Sequence, residues 1–143
     1  MRTVILYILC ISFCNLANTQ VLMNKDSLLK LLPMVKEDSA GVEFYINLGQ
    51  QYEASETELA KHYYYKAGTI SEKINYPPGV LKYIFNYTFV LNMQGRFDSG
   101  LALNLKSLDV ARKLNSPIML GKALFNTGTS YRLLAQYENA ITQ

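Results

Sequence analysis

Residues Thr57–Pro77 read TELAKHYYYKAGTISEKINYP, and forty positions later Phe97–Pro117 read FDSGLALNLKSLDVARKLNSP. At that offset Lys66 meets Lys106, Lys73 meets Lys113, Asn75 meets Asn115 and Pro77 meets Pro117. Ile70/Val110, Ile74/Leu114, Glu58/Asp98 and Ala60/Gly100 are conservative pairs. A second step of forty carries Lys82 onto Lys122, Phe85 onto Phe125 and Asn86 onto Asn126, and also Phe97, Asp98 and Gly100 onto Tyr137, Glu138 and Ala140. One period that holds over two steps is an internal repeat, the mark of stacked supersecondary units.

Each unit reads as two helices. In Val42–Ala54, Tyr45, Leu48 and Tyr52 recur three and four apart, which puts them on one helical face. Ser55-Glu56-Thr57-Glu58 has the make-up of a turn and helix start, with early acidic residues complementing the helix dipole. Thr57–Ile74 follows as a helix about 27 Å long, with Ala60, Tyr64, Ala67 and Ile74 along one side. Asn75-Tyr76-Pro77-Pro78-Gly79 ends it, since proline cannot continue the ladder and restricts the residue before it. The second unit repeats the plan as Leu81–Gln94, a break at Gly95-Arg96, then Asp98–Leu114 and Asn115-Ser116-Pro117. A third begins at Ile118, is expected to turn near Ala135-Gln136, and is cut off at Gln143. A lead helix is expected over Asp26–Val35, capped by Asp26 or Ser27 and ended or kinked by Pro33. Small residues at Gly49, Ala60, Gly100, Gly128 and Ala140 predict close helix approaches. Leu48, Tyr52, Tyr64, Leu91, Tyr131 and Tyr137 supply the bulk that fills between them. A lone hairpin cannot bury both faces, so such units gain stability by stacking. Leu124, Tyr131 and Ile141, at the far end, are expected to be poorly covered.

The remainder of the chain narrows its class. Its 143 residues are 50% hydrophobic and 17% charged, which suits one domain with a buried core and excludes a disordered tail. The formal charge is only +3 and the two signs are interspersed, so no basic stripe invites nucleic acid. Met1-Arg2-Thr3, the apolar run Val4–Phe13 and the small, polar Asn15–Gln20 follow the order of a secretory signal peptide. The run is too short to span a bilayer as a helix, and cleavage is expected after Ala17 or Thr19. Both cysteines, Cys10 and Cys14, lie inside this leader, so the mature chain has no disulfide, thiolate nucleophile or cysteine-based metal site. The expected organisation is a signal peptide over 1–19, a lead helix and linker over 20–40, and an array over 41–143 with units at about 41–78, 79–117 and 118–143, the last truncated.

Leu48-Gly49-x-x-Tyr52, then Ala60-x-x-x-Tyr64-x-x-Ala67 and a proline, resembles a tetratricopeptide repeat. Thr127-Gly128-x-x-Tyr131 with Tyr137-x-x-Ala140 matches the same pattern. The second unit departs from it: Tyr87-Thr88 stands for the Leu-Gly pair, and Gly100, Asn104 and Ser107 stand for the small, aromatic and small residues. The resemblance covers residues 41–143 and implies an all-α fold of helix-turn-helix repeats stacked as a right-handed α-solenoid, with a period of about 40.

No catalytic constellation emerges, and neither an enzyme, a cofactor nor a metal site is expected. His62 is the only histidine, read as a surface or half-buried helix residue with Glu58 one turn before it. Tyr63-Tyr64-Tyr65 reads as packing: Tyr64 faces the core and its neighbours point about 100° to either side. The resemblance instead implies a concave groove, lined by the first helix of each unit, that grips a protein or extended peptide. Carried over by position, the first unit offers Glu43, Ile46, Asn47, Gln50 and Glu53, the second Lys82, Phe85, Asn86, Phe89 and Asn92, and the third Lys122, Phe125, Asn126, Thr129 and Arg132. Asn47, Asn86 and Asn126 recur in register, and an asparagine ladder can donate to and accept from a peptide backbone; local or inter-repeat bonding is the competing reading. Members of the family that clamp a terminal carboxylate need Lys, Asn and Arg where this chain has Ile46, Gln50 and Asn126, so no such clamp is implied. A leader, a lead helix and long repeats together resemble the extracytoplasmic sensor region of bacterial histidine kinases and related regulators. The expected function is a non-catalytic binding module, exported to the periplasm or cell envelope, serving as the input of a longer signalling protein. Membrane contact is expected only through the leader or a downstream segment. The alternative is a free periplasmic or envelope-associated scaffold for protein assembly.

Overall fold

A computed structural model describes residues 24–142. The leader expected over 1–19 lies outside the described residues. The order is α1 (Lys25–Leu31), a 3-10 turn (Leu32–Met34), α2 (Ser39–Gln50), α3 (Thr57–Lys73), α4 (Pro77–Met93), α5 (Phe97–Lys113) and α6 (Pro117–Thr142). The described residues are all helix and connection, without strands. No helix among them is long and apolar enough to cross a membrane.

From α3 onward the helices begin at residues 57, 77, 97 and 117, and α3, α4 and α5 each have 17 residues. The period of forty is therefore two equal half-periods. Local chemistry sets each junction. After α3, Asn75 takes a left-handed conformation (φ 52°), and the Tyr76 N–H donates to the Ser71 carbonyl at 2.8 Å, which satisfies a carbonyl the helix end would orphan. Gly95 (φ 70°) repeats this after α4, where the Arg96 N–H donates to Leu91 at 2.9 Å, and Asn115 (φ 51°) reverses the chain after α5. Pro77 and Pro117 stand not as terminators but as the first residues of α4 and α6. Their fixed φ and missing N–H suit that position, where no intrahelical donor is needed.

Other boundaries move for similar reasons. The lead helix stops at Leu31, because Pro33 cannot continue it, and its cap is Asn24, whose side chain accepts from the Ser27 N–H at 2.9 Å. Asp38 caps α2, accepting from the Gly41 N–H at 2.8 Å, so that helix starts before Val42 and ends at Gln50 rather than Ala54. The turn expected near Ala135-Gln136 does not form, and α6 runs unbroken to Thr142. Leu134-Ala135-Gln136-Tyr137 holds neither glycine nor proline, so nothing local interrupts the ladder.

Each helix packs on the next in sequence, and α2 touches α4 as α4 touches α6. By contrast, α3 and α5 stay apart along their backbones and meet through side chains, such as Lys106 to Glu72 at 2.9 Å. The first helices of the units thus lie closer together than the second ones. The main core gathers Leu28, Val42, Tyr45, Ile46, Leu48, Tyr52, Ala60, Tyr63, Tyr64, Ala67, Ile70 and Val90, and a smaller cluster holds Leu81, Leu108, Ala111 and Ala123. Fully burying one large apolar side chain contributes about 1.5–3 kcal/mol, so α2–α4 carry most of the stability.

Tyr64 explains the tightness of the first unit. Its ring lies where a Cβ on Gly49 would sit, 2.4 Å from Cε1, so only glycine fits beneath it. Gly100 likewise faces Asn92 at 2.7 Å. The expected close approach fails at Gly128, where a Cβ would meet nothing within 4 Å, and Tyr131 does not fill between helices. Both sit on the side of α6 that no described helix covers, where Leu124 is 53% and Tyr131 54% exposed, poorly covered as anticipated. The side chains of Tyr137, Ala140 and Ile141 lie outside the described residues. Asn104 brings a different solution to the second unit. Only 1% exposed, it accepts from the Thr88 hydroxyl (3.3 Å) and donates to the Ser130 hydroxyl (2.9 Å) and the Asn126 carbonyl (3.2 Å). A hydrogen-bonded network there replaces the aromatic packing of the first unit.

Candidate functional site

A cleft of about 910 Å³ opens between α2, α4 and α6. Glu43, Ile46, Asn47 and Gln50 of α2 line it, with Glu53 just beyond that helix. Lys82, Phe85, Asn86 and Phe89 line it from α4, and Gly121, Lys122, Phe125 and Asn126 from α6. Spacings of three, four and seven keep each set on one helical face. The structure therefore brings together every groove residue carried over by position except Asn92, Thr129 and Arg132. Arg132 lies further along α6 and donates to Gln136 at 3.3 Å, one turn on. Asn92 turns instead toward α5, with its Oδ1 against Gly100, buried and without a partner.

The lining mixes phenyl rings with amides and charged side chains. Phe89 is 51% exposed and Phe125 74%, whereas Ile46 is buried. Glu43 pairs with Lys82, tying α2 to α4 across the cleft. Further along, the Gln50 side-chain amide donates to Asn86 Oδ1 at 3.1 Å, and Asn86 Nδ2 donates to the Lys82 carbonyl at 2.8 Å. Asn86 is thus held by protein, as the competing reading of the ladder required. Asn47 and Asn126 make no side-chain hydrogen bond among the described residues, and Lys122 makes no ion pair there.

At one end of the cleft the Tyr64 hydroxyl donates to Glu53. Burial first, and then the Glu53 carboxylate beside it, push the Tyr64 hydroxyl well above the ordinary tyrosine range. Burial also pushes Tyr83, seated over Gly68, up to about 12. Neither phenol is poised to titrate near neutrality, so both act as packing groups.

His62 is exposed, edge-on to Tyr63 at 5.5 Å. Glu58 does not turn to it but pairs with Lys61 at 2.7 Å and accepts from Gln94 at 3.0 Å. Those two partners hold the Glu58 carboxyl below the usual carboxylate range. Among the described residues no three His, Cys, Asp or Glu side chains gather closely enough to hold a metal ion. A smaller cavity, about 360 Å³, lies on the other side of the stack between Tyr76, Val80, Lys106, Val110 and Leu114, where α3 and α5 diverge. Sequence reasoning missed the Asn104 network. Its only signal was a polar residue, Asn104, where the repeat pattern wants an aromatic one. The chain matches no known family and no curated protein.

Proposed function

We propose that the chain is a non-catalytic, tetratricopeptide-like module whose cleft between α2, α4 and α6 receives an extended peptide or a segment of a partner protein. The observation that carries this reading is the joint exposure of Phe89 and Phe125 in a cleft that also holds the unbonded amides of Asn47 and Asn126. Such amides can donate to and accept from a peptide backbone, while half-exposed phenyl rings gain by covering an apolar side chain. Lys122 supplies a cation at the rim, so a peptide with an apolar residue near an acidic one suits the surface best. The leader and the repeat together support an exported protein in which this module is the sensory input of a longer signalling chain.

Selection from a random peptide library on the immobilised chain tests the binding reading directly. Selected peptides should carry an apolar residue beside an acidic one. Phe89→Ala and Phe125→Ala should each weaken binding about tenfold, with far-ultraviolet circular dichroism unchanged because both rings are exposed. Peptides that bind both variants as well as the parent would overturn the assignment. The sensory role predicts a membrane span and a cytoplasmic signalling region in the full reading frame. Further repeats without a span would favour the envelope scaffold.

A further inference from the structure

We propose that the cavity between α3, α4 and α5 binds a small carboxylic acid with an apolar body. The cavity, about 360 Å³, lies on the side of the stack away from the cleft, and all three helices that form it are described in full. It opens because the backbones of α3 and α5 stay apart, with Lys106 of one reaching Glu72 of the other at 2.9 Å. Tyr76, Pro77, Val80, Val110 and Leu114 give it an apolar lining. The repeat shows how such a space is closed elsewhere. Ile70 and Ile74, one period before Val110 and Leu114, join the main core together with Leu32 and Val35 from the segment before α2, and Ile70 is only 3% exposed. The segment before α4 instead sets Glu72 and Asn75 at the cavity, and Val110 and Leu114 stay half-buried.

A cation without a partner selects the occupant. Lys73, one period before Lys113, pairs with Glu37, the residue just before the Asp38 N-cap of α2. The residue just before the Tyr76 N-cap of α4 is Asn75, so an amide stands where the first unit has a carboxylate. Lys113 lines the cavity with Asn75 and makes no ion pair among the described residues. Glu72, the carboxylate in the lining, is already held by Lys106. One uncompensated positive charge therefore stands beside an apolar lining, and its complement is an anion with an apolar body. A single lysine matches a single negative charge, which favours a carboxylate over a doubly charged phosphate. The Asn75 amide can donate to the same carboxylate. Ligand sites span about 300–1,000 Å³, so this cavity suits an acid with one ring or a short chain rather than a peptide segment.

Titration of the purified chain with 4-phenylbutyrate and with octanoate, followed by amide-resolved nuclear magnetic resonance, tests this. At least one of the two acids should bind saturably, with shifts concentrated at the backbone amides of residues 71–80 and 106–114 and absent from α2. Acetate, which has the charge without the body, should not saturate. The neutral amide of the bound acid keeps the body without the charge and reports what Lys113 adds. In Lys113→Gln, an exposed substitution that should leave the fold unchanged, the ratio of the acid's affinity to the amide's should fall about two- to fivefold, the worth of one partly exposed ion pair. Val110→Phe, which fills the cavity from α5, should weaken acid and amide alike. No saturable binding by either acid, shifts centred on the cleft, or an acid-to-amide ratio indifferent to Lys113→Gln would each overturn the proposal.

Discussion

At the scale of single residues, two glycines that look alike in sequence answer to different surroundings. Gly49→Ala drives a methyl into the Tyr64 ring, and the expected cost is about 1–3 kcal/mol. Gly128→Ala meets open space, so it should be neutral or stabilise by up to about 1 kcal/mol. Urea denaturation of both variants checks the contrast. Asn104→Ala should cost about 2–4 kcal/mol, because Thr88 and Ser130 lose a buried partner as well. A shift in midpoint no larger than that of an exposed substitution would show the network to be dispensable. Tyr64 and Tyr83 give a pH signature. Each is held neutral in the fold above the unfolded value of about 10, so the unfolded chain releases protons first as pH rises. The contribution of the two phenols should be level below pH 10 and fall above it, with the Tyr83 part gone once pH passes about 12. Tyr64→Phe should flatten that alkaline fall in denaturation curves.

At the scale of elements, the equal helices and the short junctions are the organising fact. Asn75 and Asn115 hold left-handed backbone at corresponding corners, where glycine would carry no side-chain penalty. Asn75→Gly and Asn115→Gly should each raise stability by about 0.5–1 kcal/mol, measurable as a higher thermal midpoint. Helix existence was legible because periodicity and breakers are local. The starts were less so: Pro77 and Pro117 are equally good at ending one helix and opening the next, and the distinction lies in the reversal at Asn75 and Asn115 two residues earlier. The turn expected at Ala135-Gln136 was drawn from the repeat alone, without a residue that breaks a helix.

At the scale of the whole molecule, α1 seals one end of the stack, and at the other no described helix covers Leu124 and Tyr131 of α6. Appending a helix with the Thr57–Lys73 sequence behind a glycine-containing turn should cover Leu124, Gly128 and Tyr131 and raise the thermal midpoint. Equal midpoints with and without the added helix would count against this view of the open face. The groove positions were legible because each helix shows one face at a fixed spacing, and that face follows from the period alone. Their bonding was not: Asn47, Asn86 and Asn126 are equivalent in sequence, yet Asn86 alone is tied down, by Gln50 of another helix. The amino-acid order by itself determined the helices, their period and the side each turns inward, since backbone hydrogen bonds four residues apart and backbone reversals act within one turn of the chain. Only the tertiary structure decided which polar groups are satisfied, which glycine seats a ring and which face stays bare, because those outcomes depend on what a neighbouring helix brings within a few ångströms.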